Sequence, residues 1–311
     1  MKKARIILAV LCVLTIGAVF WYSWTNQQQE DHEAPVLSAD ADEIEVSISA
    51  TDEELTAGVT AWDDTDGDIS DRIIIESIEK RTDGGVNEFD ITYVAFDESG
   101  NVGRLTRTLV YSDYRQSHFS LLSKLRFTQS GTWSLFDYVE VDDCLDGDLT
   151  PFLMIEGDAA QSGAGVGLYD CVLSVTNSVG DTAELTVQVE IYENSYEERA
   201  FRPSIGLTDY LIYLDVGASF TPEGYLYYVS DSGTWLIDYG DMVQVLNDDG
   251  EYEMVTEKEA NGEAGNWLNI SEIGITSDVD TSVPGIYSVL YTYTSETTSY
   301  DCNASLIVVV E

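Results

Sequence analysis

Basic residues are scarce in this chain of 311 residues, and their scarcity limits its expected partners. Lysine and arginine total 14 against 57 aspartates and glutamates, which gives a formal charge of -43 at pH 7. Affinity for nucleic acid comes from Lys and Arg side chains that neutralise phosphates. The composition therefore excludes nucleic acid as an expected partner. It predicts a solvated, self-repelling surface or, as the alternative, a cation-binding one.

Histidine is nearly absent, which restricts the enzyme chemistry that the chain can perform. His32 and His118 are the two histidines, and a Ser-His-Asp or Cys-His arrangement would need one of them in a cleft. The sequence contains neither an H-E-x-x-H motif nor a phosphate-binding loop. A G-x-G-x-G run at residues 163–167 precedes a predicted strand, whereas a dinucleotide fingerprint opens a helix. The sequence thus predicts no catalytic residue, no cofactor and a non-enzymatic function.

Cysteine is also sparse, with three residues outside the N-terminal apolar segment: Cys144, Cys171 and Cys302. This number is too small for a disulfide-stapled miniprotein. Cys144 and Cys171 lie in one repeat, at positions where the other copy has no cysteine, which predicts a local disulfide. Two separate thiols are the alternative, because Cα atoms more than about 7 Å apart cannot be bridged.

The chain has one long hydrophobic run, residues 6–24, which contains no charged side chain. As a helix it is long enough to cross about 30 Å of hydrocarbon. Lys2, Lys3 and Arg5 precede it, which predicts a cytoplasmic stub at residues 1–5 and an extracellular remainder after a tether at residues 25–33. We therefore expect a single-pass protein of the cell membrane. A cleaved signal peptide is the alternative.

The chain contains an internal repeat with an offset of eighty residues. The segment Ala61–Ser70, A-W-D-D-T-D-G-D-I-S, returns as V-D-D-C-L-D-G-D-L-T at Val141–Thr150. The segment Phe89–Asn101 matches Tyr169–Asp181 at the same offset. Two blocks that share one offset indicate a repeated domain.

The pattern within the repeat is that of short β-strands. Residues 43–49 alternate strictly between polar and apolar side chains, and Phe89, Ile91 and Tyr93 share the inward face of a later strand. The segment D-E-S-G-N at residues 97–101 predicts a hairpin with Gly100 at positive φ. We therefore expect an all-β chain built from three tandem immunoglobulin-like β-sandwich domains after the N-terminal transmembrane helix.

The predicted domains are residues 34–113, 114–194 and 195–311, and the third is divergent. In it Tyr225, Tyr227, Val229 and Asp231 occupy the strand that ends in the D-G-D turn elsewhere, but the turn itself is lost. Its extra length lies in an insertion at residues 247–267. Such a surface insertion is a common place for function, and a merely tolerated loop is the alternative.

The first repeat resembles a known family. It reads G-V-T-A-x-D-x-x-D-G-D-I-S, then an aromatic strand, a D-E-S-G-N hairpin and a T-R-T-L-V end, over residues 58–70 and 89–110. This pattern is similar to the bacterial immunoglobulin-like domain named after a pesticidal crystal protein, a domain of unknown function. The second repeat keeps the D-G-D turn, and the third keeps only the strand pattern. The resemblance implies a non-catalytic part of a surface or secreted protein.

The aspartates of the D-G-D turn are the candidate binding residues. Strand parity points Asp63 and Asp143 inward, where a carboxylate needs hydrogen-bond partners. One interpretation is that each accepts backbone N–H bonds from the following turn, around a left-handed Gly67 or Gly147. The alternative is calcium, which takes six to eight oxygen ligands. The calcium candidates are Asp63, Asp64, Asp66, Asp68, Asp143, Asp146 and Asp148.

The sequence predicts a non-catalytic surface stalk or adhesion module that contacts the membrane through its N-terminal helix. The first alternative is a glycan or cell-wall binding module acting through the third domain. Four tryptophans, Trp62, Trp133, Trp235 and Trp267, break strand parity or lie near loops and would suit a sugar face. The second alternative is a surface hydrolase with its site at residues 247–267.

Overall fold

A computed structural model describes residues 12–22, 31–240, 242–246, 252–260 and 266–311. Strands dominate these residues, which confirms the all-β prediction. The chain divides into two compact units. One comprises Met1–Arg115 with Val179–Asp181, and the other comprises Gln116–Ser178 with Thr182–Glu311. The predicted domain boundaries stay predictions.

The N-terminal described segment is a helix, α1, at residues 12–22. The predicted span at residues 6–24 extends beyond the described residues at both ends, as does most of the tether. Within the part of the chain that the structure describes, no helix is long and apolar enough to cross a membrane.

The first repeat forms a three-stranded sheet and a four-stranded sheet. Their strand orders are β1-β3-β4 and β2-β7-β6-β5, and β2 is parallel to β7. The elements are β1 (Val36–Ala39), β2 (Glu43–Val46), α2 (Asp52–Leu55), β3 (Val59–Asp63), β4 (Gly67–Asp68), a 3-10 turn (Ser70–Arg72), β5 (Ile74–Lys80), β6 (Glu88–Phe96) and β7 (Val102–Tyr111).

The alternation in β6 produces the expected core face. Phe89, Ile91, Tyr93 and Ala95 are fully buried, because side chains two residues apart lie on the same side of a strand. Gly100 has φ +87°, so the hairpin between β6 and β7 turns through the left-handed region as predicted.

Two local predictions for the first repeat were wrong. The strand predicted at residues 43–49 ends at Val46, because Asp113 holds the next residues in a turn. Its carboxylate accepts hydrogen bonds from Ile48 N at 2.7 Å and Ser47 Oγ at 2.8 Å. The short helix α2 was not expected, although T-x-x-E at Thr51–Glu54 is a capping-box signature and forms one here.

The second repeat has the same sheet plan, with orders β8-β10-β11 and β9-β14-β13-β12. Apolar side chains of β10 and of β13 and β14 belong to one core, so the two sheets enclose it between them. The elements are β8 (His118–Leu121), β9 (Arg126–Thr128), a 3-10 turn (Leu135–Asp137), β10 (Val139–Asp143), β11 (Gly147–Asp148), a 3-10 turn (Thr150–Phe152), β12 (Met154–Glu156), β13 (Gly167–Thr176) and β14 (Thr182–Tyr192).

The third repeat enlarges this plan. Its sheets are β15-β17-β18-β21 and β16-β24-β23-β22, and the chain leaves β18 and returns in β21, parallel to it. The elements are α3 (Tyr196–Phe201), β15 (Ser204–Leu207), β16 (Leu211–Leu214), a 3-10 turn (Pro222–Tyr225), β17 (Leu226–Ser230), β18 (Thr234–Asp238), β19 (Met242–Leu246), β20 (Tyr252–Thr256), α4 (Glu257–Ala260), β21 (Asn266–Asn269), a 3-10 turn (Ile270–Glu272), β22 (Gly274–Ser277), β23 (Gly285–Thr294) and β24 (Asp301–Val310).

Within the second unit, the second and third repeats are in apolar contact. Leu211 of β16 belongs to the core of the second repeat, and Tyr213 packs against that core. The charged segment between the second and third repeats forms the helix α3. Glu198 of that helix pairs with Arg126 at 2.9 Å and also with Arg202.

Candidate functional site

The aspartates that end β3 and β10 accept backbone hydrogen bonds, as the first interpretation predicts. Asp63 Oδ1 accepts from Thr65 N and Asp66 N, both at 2.9 Å. Asp143 Oδ1 accepts from Leu145 N at 2.8 Å and from Asp146 N at 3.0 Å. Both carboxylates are buried, so these bonds replace the water that burial removes.

The other aspartates of the D-G-D turns also hold backbone. Asp146 accepts from Ser178 N at 2.6 Å and so joins the turn to the hairpin after β13. Asp66 does the same with Glu98 N at 2.6 Å. Asp68 and Asp148 each accept from the backbone N–H two residues on, at 3.0 Å. Asp64 is exposed.

The seven calcium candidates do not converge on one point. Among the described residues, the acidic group close enough to share a metal ion is Asp31, Asp63 and Asp97, whose oxygens lie within 4.8 Å of one another. Asp63 is the one member of the predicted set in this group. Calcium would need further oxygens beyond three carboxylates.

At the position equivalent to Asp97, the second repeat has a hydrogen-bond donor. Asn177, eighty residues after Asp97, donates to Asp143 Oδ2 at 3.2 Å, and Ser117 Oγ donates to the same oxygen at 2.6 Å. Burial raises the pKa of Asp143, but the hydroxyl and backbone donors outweigh burial and hold it below its ordinary value. Among the described residues, a carboxylate cluster of this kind is therefore found in the first repeat.

In the third repeat the matching carboxylate, Asp231, accepts a hydrogen bond from the Tyr293 hydroxyl at 3.0 Å. Burial and this bond together raise the pKa of Tyr293 well above its usual range. The phenol therefore stays protonated and remains a donor at neutral pH.

The predicted disulfide is not formed in the structure: Cys144 and Cys171 are not bonded to each other. Cys144 follows Asp143, which contacts Asn177 just beyond the end of β13. Cys171 lies six residues back along that strand, which corresponds to about 20 Å at the usual rise per residue. Cys144, which lies near Asn177, is therefore too far from Cys171 for a disulfide to bridge their Cα atoms. Cys171 instead packs in the core, where burial raises the pKa of its thiol.

The outer face of the sheet β15-β17-β18-β21 carries a row of apolar side chains in the third repeat. Tyr228 lies opposite Gly206 on one side and opposite Leu236 on the other, and Leu236 lies opposite Trp267. Residues that pair directly across strands point to the same face of a sheet. We call Tyr227, Tyr228, Leu236 and Trp267 the aromatic face.

Tyr227 joins this face because β17 contains an irregularity. The pairing register shifts between Gly206 and Leu207, so Leu226 and Val229 are both buried although they are three residues apart. A β-bulge of this kind turns two successive residues outward. Tyr227 is 59% exposed, and its ring centroid lies 5.5 Å from that of Tyr228. Tyr227 therefore does not share the inward face of Val229, although the two residues lie two positions apart in the strand.

Of the four tryptophans that the sequence suggested for a sugar face, two lie on outer sheet faces. Trp267 is half-buried in the aromatic face, and Trp62 is 59% exposed on β3. Trp133 is buried and stacks on Phe127 with ring centroids 4.3 Å apart. Trp235 donates its indole N–H to Asp231 O at 2.8 Å. Trp133 and Trp235 thus serve the packing of their repeats.

The hairpin of β19 and β20, whose second strand lies in the predicted insertion, presents further apolar groups to solvent. It pairs Gln244 with Met254, and Met242 and Tyr252 follow the same alternation onto one face. Met242, Tyr252 and Met254 are each more than half exposed. The hydrolase alternative at residues 247–267 falls partly outside the described residues, because 247–251 and 261–265 are not among them.

The outer faces of the matching strands in the other repeats differ. In β10 the outward residues are Glu140 and Asp142, and in β3 they are Thr60 and Trp62. Acidic side chains thus cover the second repeat where aromatic rings cover the third. In the first repeat this face carries one tryptophan, Trp62.

Comparison with known proteins gives little further guidance. No family model matches the chain. One curated relative, an uncharacterised 81.3 kDa protein of Acholeplasma phage L2, is 29% identical over 113 residues, or 33% of this chain. The chain spans 14% of that protein's length.

Solved structures with some similarity include modular bacterial and cadherin chains. A Clostridium perfringens ZmpB structure, with CBM51-2 in complex with GlcNAc and INT domains, is 13% identical over 84% of this chain and 30% of that one, with a TM-score of 0.20. Drosophila N-cadherin EC1-4 is 12% identical over 91% and 76%, with a TM-score of 0.21. Mouse cadherin-23 EC22-24 is 12% identical over 90% and 99%, with a TM-score of 0.20. At such TM-scores these similarities support no inference.

Proposed function

We propose that this chain is a non-catalytic extracellular binding protein whose immunoglobulin-like sandwiches carry a glycan-recognition face on the third repeat. In this proposal three tandem domains form a stalk, and residues 6–24 anchor it in the cell membrane. The resemblance of the first repeat to the pesticidal-crystal-protein type of domain is consistent with such a role.

One observation carries the proposal, namely the bulge that places Tyr227 beside Tyr228 on an outer sheet face. An ordinary strand would bury one of these two rings. The bulge leaves both rings on the outer face, with Tyr227 exposed and Tyr228 half-buried. Leu236 and Trp267 extend the apolar surface across two more strands. The face of an exposed aromatic ring suits the apolar face of a sugar ring, and exposed apolar patches on soluble domains mark interaction sites.

A glycan ligand also agrees with the charge of the chain. The formal charge of -43 repels polyanions such as nucleic acid and does not repel an uncharged polysaccharide. Stacking on aromatic rings needs no charge on the ligand. The first-choice ligands are therefore neutral cell-wall or surface polysaccharides.

A pull-down of the full-length protein tests this function. The panel contains insoluble neutral polysaccharides and purified cell-wall material, and we expect at least one of them to retain the protein. Retention should fall for Tyr227→Ala and should persist for Trp62→Ala, which removes an exposed aromatic ring from the first repeat. If nothing in the panel retains the protein, glycan recognition is wrong and the stalk is a spacer.

A further inference from the structure

Within the second unit, a groove of about 880 Å³ runs between the second and third repeats. One wall comes from β13 and β14, with Leu168, Thr186 and Gln188. The other wall comes from β23 and β24, with Ile286 and Ser288. The groove is separate from the aromatic face, which lies on the opposite sheet of the third repeat.

A small cavity of about 50 Å³ lies at one end of the groove. Lys124, Glu190, Arg202 and Asn303 line both spaces, so the cavity opens where these side chains meet. A space of this size holds a water molecule or one small polar group. The cavity is also lined by Arg126 and Cys302.

The charges around this cavity do not balance. Arg126 pairs with Glu190 at 2.9 Å and with Glu198 at 2.9 Å, and Arg202 also pairs with Glu198. Two carboxylates are thus already engaged by two guanidinium groups. Cys302 adds no negative charge, because burial raises the pKa of its thiol to about 11. Among the charged residues that line the cavity and their ion-pair partners, Lys124 is the third cation against two carboxylates.

Lys124 forms no direct ion pair within the described residues. Its Nζ donates to Asn303 O, and no carboxylate of that part of the chain lies within ion-pair distance of it. Burial lowers the pKa of this amine, and the charge of Glu190 opposes that effect. An ammonium group has three donors, so Lys124 can bind an anion in the cavity.

The remainder of the groove favours a ligand with a single charge and an apolar body. Val166, Leu168 and Ile286 are each more than half exposed on its walls. Asp170, Glu193 and Asp278 also line it. These acidic side chains repel a polyanion, which disfavours acidic polysaccharides and polyacidic peptides. Thr186, Gln188 and Ser288 offer hydroxyl and amide groups that suit a peptide backbone.

We propose that this groove binds the C-terminal carboxylate of a peptide, held by Lys124 and Arg202, with an aliphatic residue against the apolar walls. Hydrogen bonds between ionised partners are stronger than neutral ones, so the carboxylate supplies the specificity. The walls then select for an uncharged, aliphatic chain end.

The test is a calorimetric titration of the full-length protein with acetyl-Ala-Ala-Leu and with its C-terminal amide. We expect the acid to bind at least about tenfold more tightly than the amide, since a charge-assisted hydrogen bond is lost. Lys124→Gln should reduce binding of the acid to the level of the amide. Lys258→Gln, which removes a lysine that does not line the groove, should leave it unchanged. Tyr227→Ala should also leave it unchanged, which separates this site from the proposed glycan face.

A second measurement separates binding from a structural role for Lys124. Without ligand, Lys124→Gln should melt at or above the wild-type midpoint, because the substitution removes an unbalanced buried charge. A lower midpoint would show that the ammonium stabilises the junction and would overturn the proposal. Absence of binding by the acid, equal binding of acid and amide, or tighter binding of glucuronic acid would also overturn it.

Discussion

At the residue scale, one carboxylate position has three different environments. Asp143 receives hydrogen bonds from Ser117 and Asn177, and Asp231 receives one from Tyr293. Asp63 instead shares its surroundings with Asp31 and Asp97. The strand pattern predicted the inward direction of Asp63 and Asp143. It did not predict their neighbours, because Asp31 and Asp97 are distant from Asp63 in the chain.

The substitution Asp97→Asn should stabilise the first repeat in the presence of a chelator. It replaces one of three adjacent carboxylates by an amide that can donate, as Asn177 does in the second repeat. The amide oxygen can still accept from Asn101 N, and Asn101 Nδ2, which loses Asp97 Oδ2, keeps Asp31 O as its acceptor. We expect about 1 kcal/mol at low ionic strength, measured by chemical denaturation. Asp64→Asn, at an exposed position, is the control. A loss of stability in Asp97→Asn would contradict this account.

Calcium binding by the aspartates of the D-G-D turns stays a prediction, and the same variant tests the part that involves Asp63, because Asp97 lies beside it. If the ion binds there, millimolar calcium raises the melting midpoint of the wild type, because a ligand of the native state stabilises it. The midpoint of Asp97→Asn should then respond less. Equal midpoints of the wild type with and without calcium would exclude a stabilising site.

Asp143→Ala should cost about 3 kcal/mol, because two backbone N–H groups, Ser117 and Asn177 lose a buried acceptor. The folded pKa of Asp143 lies below its ordinary value of 3.8, so folding favours the ionised form. Its contribution is therefore complete above that value and is lost as the pH falls towards the folded pKa. Denaturation at pH 7 and pH 3 checks both points, with Glu140→Ala as the exposed control.

At the element scale, period-two alternation predicted the main strands, and repeat comparison predicted their order. The alternation predicted β6 and β13 correctly because one face of each strand is buried against a core. It failed at β17, where a bulge resets the alternation between Leu226 and Val229. The sequence did contain a sign of this bulge. Leu226 and Val229 are both apolar but lie three residues apart, a spacing that strict alternation along a strand does not produce. After the insertion the chain rejoins the sheet as β21, which pairs with β18. Local sequence does not specify this pairing, because the two strands are far apart in the chain.

Gly206→Ala should disturb the aromatic face without altering its chemistry. A Cβ atom at this position would lie 2.3 Å from the Tyr228 ring, so the ring must move. We expect a loss of about 1–3 kcal/mol from overpacking and weaker glycan retention. Gly224→Ala, where a Cβ atom would meet nothing within 4 Å, is the matched control. Equal stability of the two variants would show that Tyr228 does not cover Gly206.

At the scale of the whole molecule, the charge of -43 dominates the solution behaviour. Like charges repel more strongly in the compact state than in the unfolded chain. Salt shortens the screening length from about 30 Å at 0.01 M to about 8 Å at 0.15 M. We therefore expect the melting midpoint to rise over this range of sodium chloride. A midpoint that falls with salt would mean that attractive ion pairs outweigh the repulsion.

The most direct test of glycan recognition compares two alanine variants on the polysaccharide that retains the wild type. Tyr227→Ala removes a ring that the bulge exposes, and Trp62→Ala removes an equally exposed ring from another repeat. The account predicts that Tyr227→Ala weakens binding about tenfold or more, as expected for a central aromatic contact, while Trp62→Ala binds like the wild type. Equal retention of the two variants would contradict the assignment of the binding face to the third repeat.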